Sequence, residues 1–444
     1  MSSHSVHAPP PVPGNAASSA SAALNARIFR RLMPLLVLSY VISFIDRTNI
    51  ALAKSHIEVD LGISAAAYGL GAGLFFLSYA LLEVPSNLIM HRVGARFWIT
   101  RIMVTWGLLS AGMAFITGET SFYVMRVLLG AAEAGLFPGV MLYLTYWFGR
   151  EERARAIGYF LLGVCIANIL SGPVGGALLQ MDGFLGWHGW QWMFVIEGLP
   201  AVALAWVVWK KLPDGPASAP WLTAAESREV LHRLQAEQDQ QASAGQVGHS
   251  LRDCLRDRQI WLAILVYFCH QISIYTVIFF LPGIIGTYGQ LSPLQIGTLN
   301  SVPWIAAAIG AAWLPRFATH PQRCRRMLLA GLATMAAGLL VAALAGKASP
   351  ALGLLGFSLT ALMFFVVQSV VFLFPASRLA GAGLAGGIAL VNTCGLVGGF
   401  IGPTVMGMIE QATGSTRNGL FIMAALLVVA ALASTRLRQG QETP

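Results

Sequence analysis

The sequence predicts an all-α integral membrane protein, with twelve transmembrane helices in two pseudo-symmetric six-helix bundles. Composition is the first reason. The 444 residues are 56% hydrophobic and 11% charged, against about 25% charged in soluble proteins, and the mean hydropathy is +0.67. Such a chain cannot cover itself with a polar surface. Second, apolar runs of about 20 residues recur along it, the length a helix needs to cross roughly 30 Å of hydrocarbon. Third, one long polar segment splits those runs six and six.

Taken in order, residues 1–27 are rich in Ala, Ser and Pro and have no basic stretch before the first apolar run. They are expected as a disordered cytoplasmic tail rather than a cleaved signal peptide. The first bundle, 28–209, holds spans near 32–53, 66–90, 96–117, 120–148, 153–180 and 190–209. Residues 210–258 are polar, with a helical-looking stretch (TAAESREVLHRLQAEQ) and then a Gln/Ser/Gly tract, as expected of a cytoplasmic linker. The second bundle, 259–437, holds spans near 260–286, 294–315, 327–345, 350–376, 381–410 and 418–435, and 438–444 form a short tail.

Lys and Arg in the loops set the orientation. With both termini cytoplasmic, 22 of the 28 basic residues fall on the inside. Only Lys54, Lys347 and Arg417 fall outside, and Arg47, Arg101 and Arg126 lie within spans. This asymmetry accounts for the net charge of +9 without nucleic acid, since the excess faces anionic cytoplasmic lipid. The partners expected are therefore a lipid bilayer and a small solute. An enzyme is not expected, because no HExxH, no G-x-S-x-G elbow and no Cys/His ligand set occurs. Neither is a receptor, because no soluble domain is present beyond the linker. The five cysteines lack metal-ligand spacing and are read as packing residues that need no disulfide. No cofactor or metal is expected.

The halves echo each other. Phe137-Pro138 precedes Gly172-Pro173 in the first, and Phe374-Pro375 precedes Gly402-Pro403 in the second. With the 6 plus 6 layout, this fits parallel repeats around a central site.

Charges inside spans carry the most information, since each costs roughly 2.5–3.5 kcal/mol at a helix centre. Asp46 and Arg47, within FIDRTNIALA, lie at a depth of roughly 21–22 Å from the cytoplasmic edge. Arg126 and Glu133 of span 4 are seven residues apart, two turns, and therefore share one face. These four groups are expected to line one cavity with zero formal charge. A monoanion docking on an arginine, whose forked donors suit a carboxylate, would leave that site negative unless an acid took a proton. Proton and anion are thus natural companions, with Arg47 and Arg126 as substrate-binding residues and Asp46 and Glu133 as proton-coupling residues. Paired charges that merely lock helices together remain the alternative.

Other polar positions are weaker signals. Glu83 and Arg101 are expected as a structural or gating pair, and Arg92 and Arg96 as part of a cytoplasmic gate. Glu197 is expected to be structural, and His270 either a polar core residue or a contact to substrate or proton. Tyr79, Phe44 and Tyr275 suit an anion with an apolar body. Gln368, Ser369 and Asn392 suit hydroxyl groups.

The strings FIDRTNIALA, YALLEVPSNLIMHRVGAR, RVLLGAAEAGLFPGVMLYLTYWF and WQWMFVIEGLP resemble the anion:cation symporter family of the major facilitator superfamily. The resemblance spans nearly the whole chain and is densest in the first half. It implies the major facilitator fold and proton-coupled import of organic anions such as tartrate, sugar acids, phthalate or 4-hydroxyphenylacetate. By position it implies substrate binding at Arg47 and Arg126 and protonation at Asp46 and Glu133. Two departures concern the gates. NLIMHRVGAR carries Asn87 and His91 where the superfamily loop motif has Gly and Asp, and Pro315 stands where the matching loop usually has Asp. Expected further are an inner-membrane location, function as a monomer, and protons as the coupling ion. Anion exchange without proton coupling stays open, as does the choice between a hydroxy acid, a sugar acid and an aromatic acid.

Overall fold

Backbone N–H and C=O groups find no partner in hydrocarbon, so spans of this composition must satisfy themselves as helices. The computed structural model describes residues 13–243, 251–318, 320–346, 348–379 and 381–438. Every α or β element among them is helical. The first half comprises α1 (Pro13–Leu61), α2 (Ala65–Val93), α3 (Ala95–Gly112), α4 (Glu119–Glu133), α5 (Leu136–Thr145), α6 (Arg150–Leu179) and α7 (Gly189–Lys211). Linker helices α8 (Ala224–Ser243) and α9 (Leu251–Arg256) follow. The second half comprises α10 (Arg258–Gly286), α11 (Pro293–Trp313), α12 (Pro321–Ala345), α13 (Pro350–Val371), α14 (Leu373–Arg378), α15 (Gly381–Thr413) and α16 (Arg417–Ser434).

Among the described residues eleven spans are long and apolar enough to cross a membrane, with α4–α5 and α13–α14 each counting as one. The twelfth expected span is the helix α11, which carries Gln295, Thr298, Asn300 and Ser301. It packs between α6 and α13, and Asn300 and Ser301 are buried there, so its polar stripe meets protein.

The expected disordered tail needs correction. Residues 13–27 are the first turns of α1, as suits the alanine-rich AASSASAALNA. The linker helix α8 holds them down. Arg233 donates to Ser21 Oγ and Asn25 Oδ1, each at 2.7 Å, and Arg27 pairs with Glu226. The start of α8 is fixed by a reciprocal capping box, in which Thr223 Oγ1 accepts from Glu226 N at 3.2 Å and Glu226 accepts from Thr223 N at 2.9 Å. Residues 1–12 of the expected tail, 244–250 of the linker, Lys347 and 439–444 lie outside the described residues. At its other end α1 runs on to Leu61 and takes in Lys54, which was expected in a loop.

The span expected at 120–148 breaks in the middle. Helix α4 ends at Glu133, Gly135 turns left-handed with φ +93°, and α5 starts at Leu136. Pro138 falls in the first turn of α5, where its missing N–H costs nothing. Ser86 Oγ donates to the freed Ala134 carbonyl at 2.7 Å and accepts from Trp98 Nε1 at 2.9 Å. A Cβ on Gly135 would lie 2.1 Å from Ser86 Oγ. Gly135→Ala therefore combines a left-handed penalty of about 1–2 kcal/mol with a clash, and is expected to lower the melting temperature in detergent. An unchanged melting temperature would mean that the break relaxes. The second half breaks at the equivalent place, Phe372, just before Phe374-Pro375. The Phe-Pro echo in the sequence thus marks a kink that both halves share.

The halves meet along two seams, α2 against α15 and α6 against α11. Glycines bring the backbones together. A Cβ on Gly69 would lie 2.3 Å from the Pro403 carbonyl oxygen, and one on Gly172 would lie 2.1 Å from that of Gly297. Close approach of this kind replaces hydrophobic driving force between helices in a membrane. Polar contacts between the halves reinforce these seams. Lys54 Nζ bridges to Glu410 at 2.9 Å and to Glu58 at 3.0 Å. Tyr68 OH donates to the Phe279 carbonyl at 3.0 Å, and Ser301 Oγ donates to that of Ile169 at 2.7 Å.

Candidate functional site

A cavity of about 100 Å³ lies between the halves and continues into a wider one of about 580 Å³ toward the linker end. Glu83, Phe137, Leu161, Phe365, Gln368 and Asn392 line both. At 10–15 Å³ per water, the inner cavity accepts a solute of about seven to ten non-hydrogen atoms.

Arg47 stands at its closed end. The guanidinium lies 4.6 Å from the ring centre of Phe44, 5.2 Å from Phe75 and 5.3 Å from Tyr79, a cage that favours a cation. Its Nη2 pairs with Glu133 Oε1, which also accepts from Ser43 Oγ at 2.5 Å. Arg47 is 7% exposed and Glu133 1%. The break after Glu133 matters here. A carboxylate at the last residue of a helix faces the negative end of the helix dipole, so Glu133 depends on Arg47 and Ser43 from α1. The guanidinium Nε remains without a hydrogen-bond partner.

Asp46 does not join this pair. Its Oδ2 accepts from Trp106 Nε1 at 2.7 Å and its Oδ1 from Ser110 Oγ at 2.9 Å, both on α3. Adjacent residues of a helix point about 100° apart, so if Arg47 faces the cavity, Asp46 cannot. Arg126 also turns away. It is 1% exposed and donates through Nε to the Gly71 carbonyl at 3.2 Å and through Nη2 to that of Ala72 at 3.3 Å. Arg126 and Glu133 do share a face of α4, but α2 covers that face at Arg126 while α1 covers it at Glu133. The expected quartet in one cavity is thus corrected to one ion pair, Arg47–Glu133, with Asp46 and Arg126 each buried in a separate helix contact.

Of the remaining expected residues, Phe44, Tyr79, Tyr275, Gln368, Asn392 and Glu83 line the inner cavity. Ser369 lines only the wider one, and its hydroxyl donates to the Val366 carbonyl at 3.0 Å. The expected Glu83–Arg101 pair does not form. Arg101 instead stacks on Trp98, one turn away on α3, at 3.8 Å. Arg92 is exposed, and Arg96 packs over Trp209 at 4.6 Å. His270 is fully buried, its ring stacked 5.2 Å from Phe364 and 6.1 Å from Tyr267, and neither nitrogen has a partner.

Residues not singled out from sequence also line the cavity, among them Asn168, Gln271, Tyr267 and Trp304. Gln271 and Asn168 gave a usable signal as polar residues in oily spans. The aromatic ones gave none. Gln271 Oε1 and Gln368 Oε1 are buried acceptors without donors, and Gln368 Nε2 donates weakly to Tyr267 OH at 3.4 Å. The site therefore pairs a caged cation on one side with amide acceptors on the other.

Residues 36–403 match the family model described as Major Facilitator Superfamily. The chain belongs to this superfamily. It is 40% identical over 92% of its length to a protein of Agrobacterium vitis named "Putative tartrate transporter", covering 91% of that protein. It is 38% identical to "Inner membrane transport protein RhmT" of Escherichia coli, over 92% of this chain and 94% of that one. Among solved structures, a bacterial homologue of the lysosomal transporter Spinster in an inward-facing, occupied conformation matches with a TM-score of 0.73 at 18% identity, covering 91% of this chain and 95% of that one. The xylose transporter XylE of E. coli in an inward-open conformation matches at 0.72 with 14% identity, over 93% and 97%. These two share the fold. The superfamily member described here is a multi-pass membrane transporter for a small molecule and is not an enzyme, as the sequence led one to expect.

Proposed function

We propose that this transporter takes up a small hydroxycarboxylate together with protons by alternating access, with Arg47 as its carboxylate anchor. The caged Arg47–Glu133 pair at the closed end of the cavity carries this proposal. A substrate carboxylate competes with Glu133 for the guanidinium, and Glu133, losing its counter-charge in a dry site, takes a proton. Uptake of anion and proton then leaves the site's charge unchanged. Arg126 and Asp46, each held in a helix contact away from the cavity, do not touch the substrate in this scheme.

With the basic loops inward, both termini and α8 are cytoplasmic, and the conformation described is inward-open and closed at the Lys54–Glu410 end. The bacterial inner membrane is the proposed location and a monomer the proposed unit. The two lone acceptors, Gln271 and Gln368, favour a substrate with hydroxyl donors, and relatives named for tartrate agree with that choice. The aromatic lining, with Tyr40, Phe44, Phe137, Tyr275, Trp304 and Phe364, supports small aromatic acids as the second candidate class.

The test is uptake of labelled organic acids into proteoliposomes, with and without an inward pH gradient. Accumulation indifferent to the gradient at fixed voltage would replace symport by exchange. Gln271→Leu separates the substrate classes. It is expected to raise KM for a hydroxy acid about tenfold, the value of one hydrogen bond of roughly 1–1.5 kcal/mol, and to leave that of an aromatic monoacid nearly unchanged. Equal effects on both would remove Gln271 from recognition.

A further inference from the structure

Glu197 has no part in the scheme above, yet its surroundings are unusual. It lies on α7, 5% exposed, and neither carboxyl oxygen has a hydrogen-bond partner. Among the described residues it has no ion pair. The groups facing it are Asn49 and Asp46 of α1, together with Gly175 of α6, whose Cβ position is 3.4 Å from Glu197 Oε1. On the α3 side the next residue, Gly198, packs against Ser110 and the Gly107 carbonyl. Asn49 is 1% exposed, and both its Nδ2 and Oδ1 also lack partners. Asp46, one turn before Asn49, is held by Trp106 and Ser110. Two carboxyl groups and an amide are thus buried together, with no Lys, Arg or His paired to either acid.

We propose that Asp46, Asn49 and Glu197 form a second proton-binding site, on the α1–α3–α7 face of the first half and separated from the substrate cavity by α1 itself. An ionised Glu197 would be buried without counter-charge, with only the Asn49 amide near enough to donate, a state that buried ions avoid by taking up a proton. The proton bonds to one Glu197 oxygen, and the resulting O–H points at Asn49 Oδ1. When it leaves, the carboxylate faces the amide Nδ2–H of the turned side chain. Asn suits this exchange because one side chain offers both donor and acceptor. Asp46, held by Trp106 and Ser110, is the second acid of this site. Arg47 follows Asp46 directly on α1, so a shift of α1 caused by substrate at Arg47 moves this cluster against α3 and α7. The proposal rests on proton-coupled uptake and adds a place for the proton behind α1.

The experiment uses the full-length protein in proteoliposomes, comparing wild type, Glu197→Gln and Glu197→Asp, with infrared difference spectra between acid and alkaline buffers. Glu197→Gln is expected to lose about fivefold or more of the accumulation that a pH gradient drives, the low end of a coupling between two sites. Counterflow exchange, which needs no net proton movement, persists. The band of a buried protonated carboxyl group, present in wild type, is absent. Glu197→Asp keeps a titrating carboxyl group, restores part of the accumulation, and shifts its pH profile. Wild-type accumulation and an unchanged carboxyl band in Glu197→Gln would overturn the proposal. If the Gln variant does not assemble, an Asp variant with the wild-type pH profile would overturn it equally. A wild type that ignores the pH gradient would instead refute the symport reading, and the carboxyl band would still decide whether Glu197 binds a proton.

Discussion

Lysine in place of Arg47 lowers uptake by about a hundredfold. The guanidinium does two things at once: it pairs with Glu133 and lies against the rings of Phe44, Phe75 and Tyr79. A planar fork can stack on rings while its edge holds a carboxylate, whereas an ammonium is a strongly hydrated point charge that does neither as well. Losing a charge-assisted hydrogen bond of about 1.5–3 kcal/mol together with about 1 kcal/mol of desolvated ring contact gives that magnitude. Because lysine keeps the positive charge, Glu133 retains a counter-ion and the fold is expected to survive. Arg47→Met behaves differently, since it leaves a carboxylate buried with only Ser43, at a cost of about 3–5 kcal/mol. Initial uptake rates and melting temperatures of the two variants separate recognition from folding. Wild-type uptake by Arg47→Lys would show that any cation serves and that the cage is packing.

Much of this architecture was legible because the bilayer narrows the options. Apolar runs of the right length become helices, and a charge inside one demands a reason, which is why Arg47 and Glu133 stand out from sequence. Facing was not legible. Lipid-facing and core-facing positions are both apolar, so the 3.6 period that marks the buried side of a soluble helix is faint. That is why Asp46 and Arg126 were expected in the cavity, although α3 and the backbone of α2 cover them. The same blindness explains the absent Glu83–Arg101 pair: equal depth says nothing of rotation, and Trp98 lies nearer to Arg101 on its own helix. Ser43, one turn from Arg47, completes the ion pair, yet among the serines of these spans nothing in its neighbours marks it. The helical stretch at 13–27 was hidden for another reason, since its partners Glu226 and Arg233 lie some 200 residues away in the linker.

Glu133→Gln is expected to abolish concentrative uptake. Carrying a monoanion with one proton moves no net charge, so only the pH difference drives accumulation, at about 1.4 kcal/mol per unit. One unit therefore supports about a tenfold gradient of substrate in wild type. Glutamine keeps the size of the side chain and a carbonyl oxygen for Ser43 and Arg47, but it cannot bind or release a proton. It also frees Arg47 from its competing carboxylate, so substrate binding is expected to hold or tighten while release slows. Accumulation then falls to equality across the membrane, and counterflow continues at a rate within about tenfold of wild type, since losing an acid–base group costs most where a proton must move. Two results would send the coupling proton elsewhere: a Gln variant that still accumulates tenfold under a one-unit gradient, or one whose counterflow is as dead as its uptake. The first would leave the acids behind α1 as the coupling site. The second would make Glu133 a structural brace for Arg47, whose loss removes the anchor rather than the driving force.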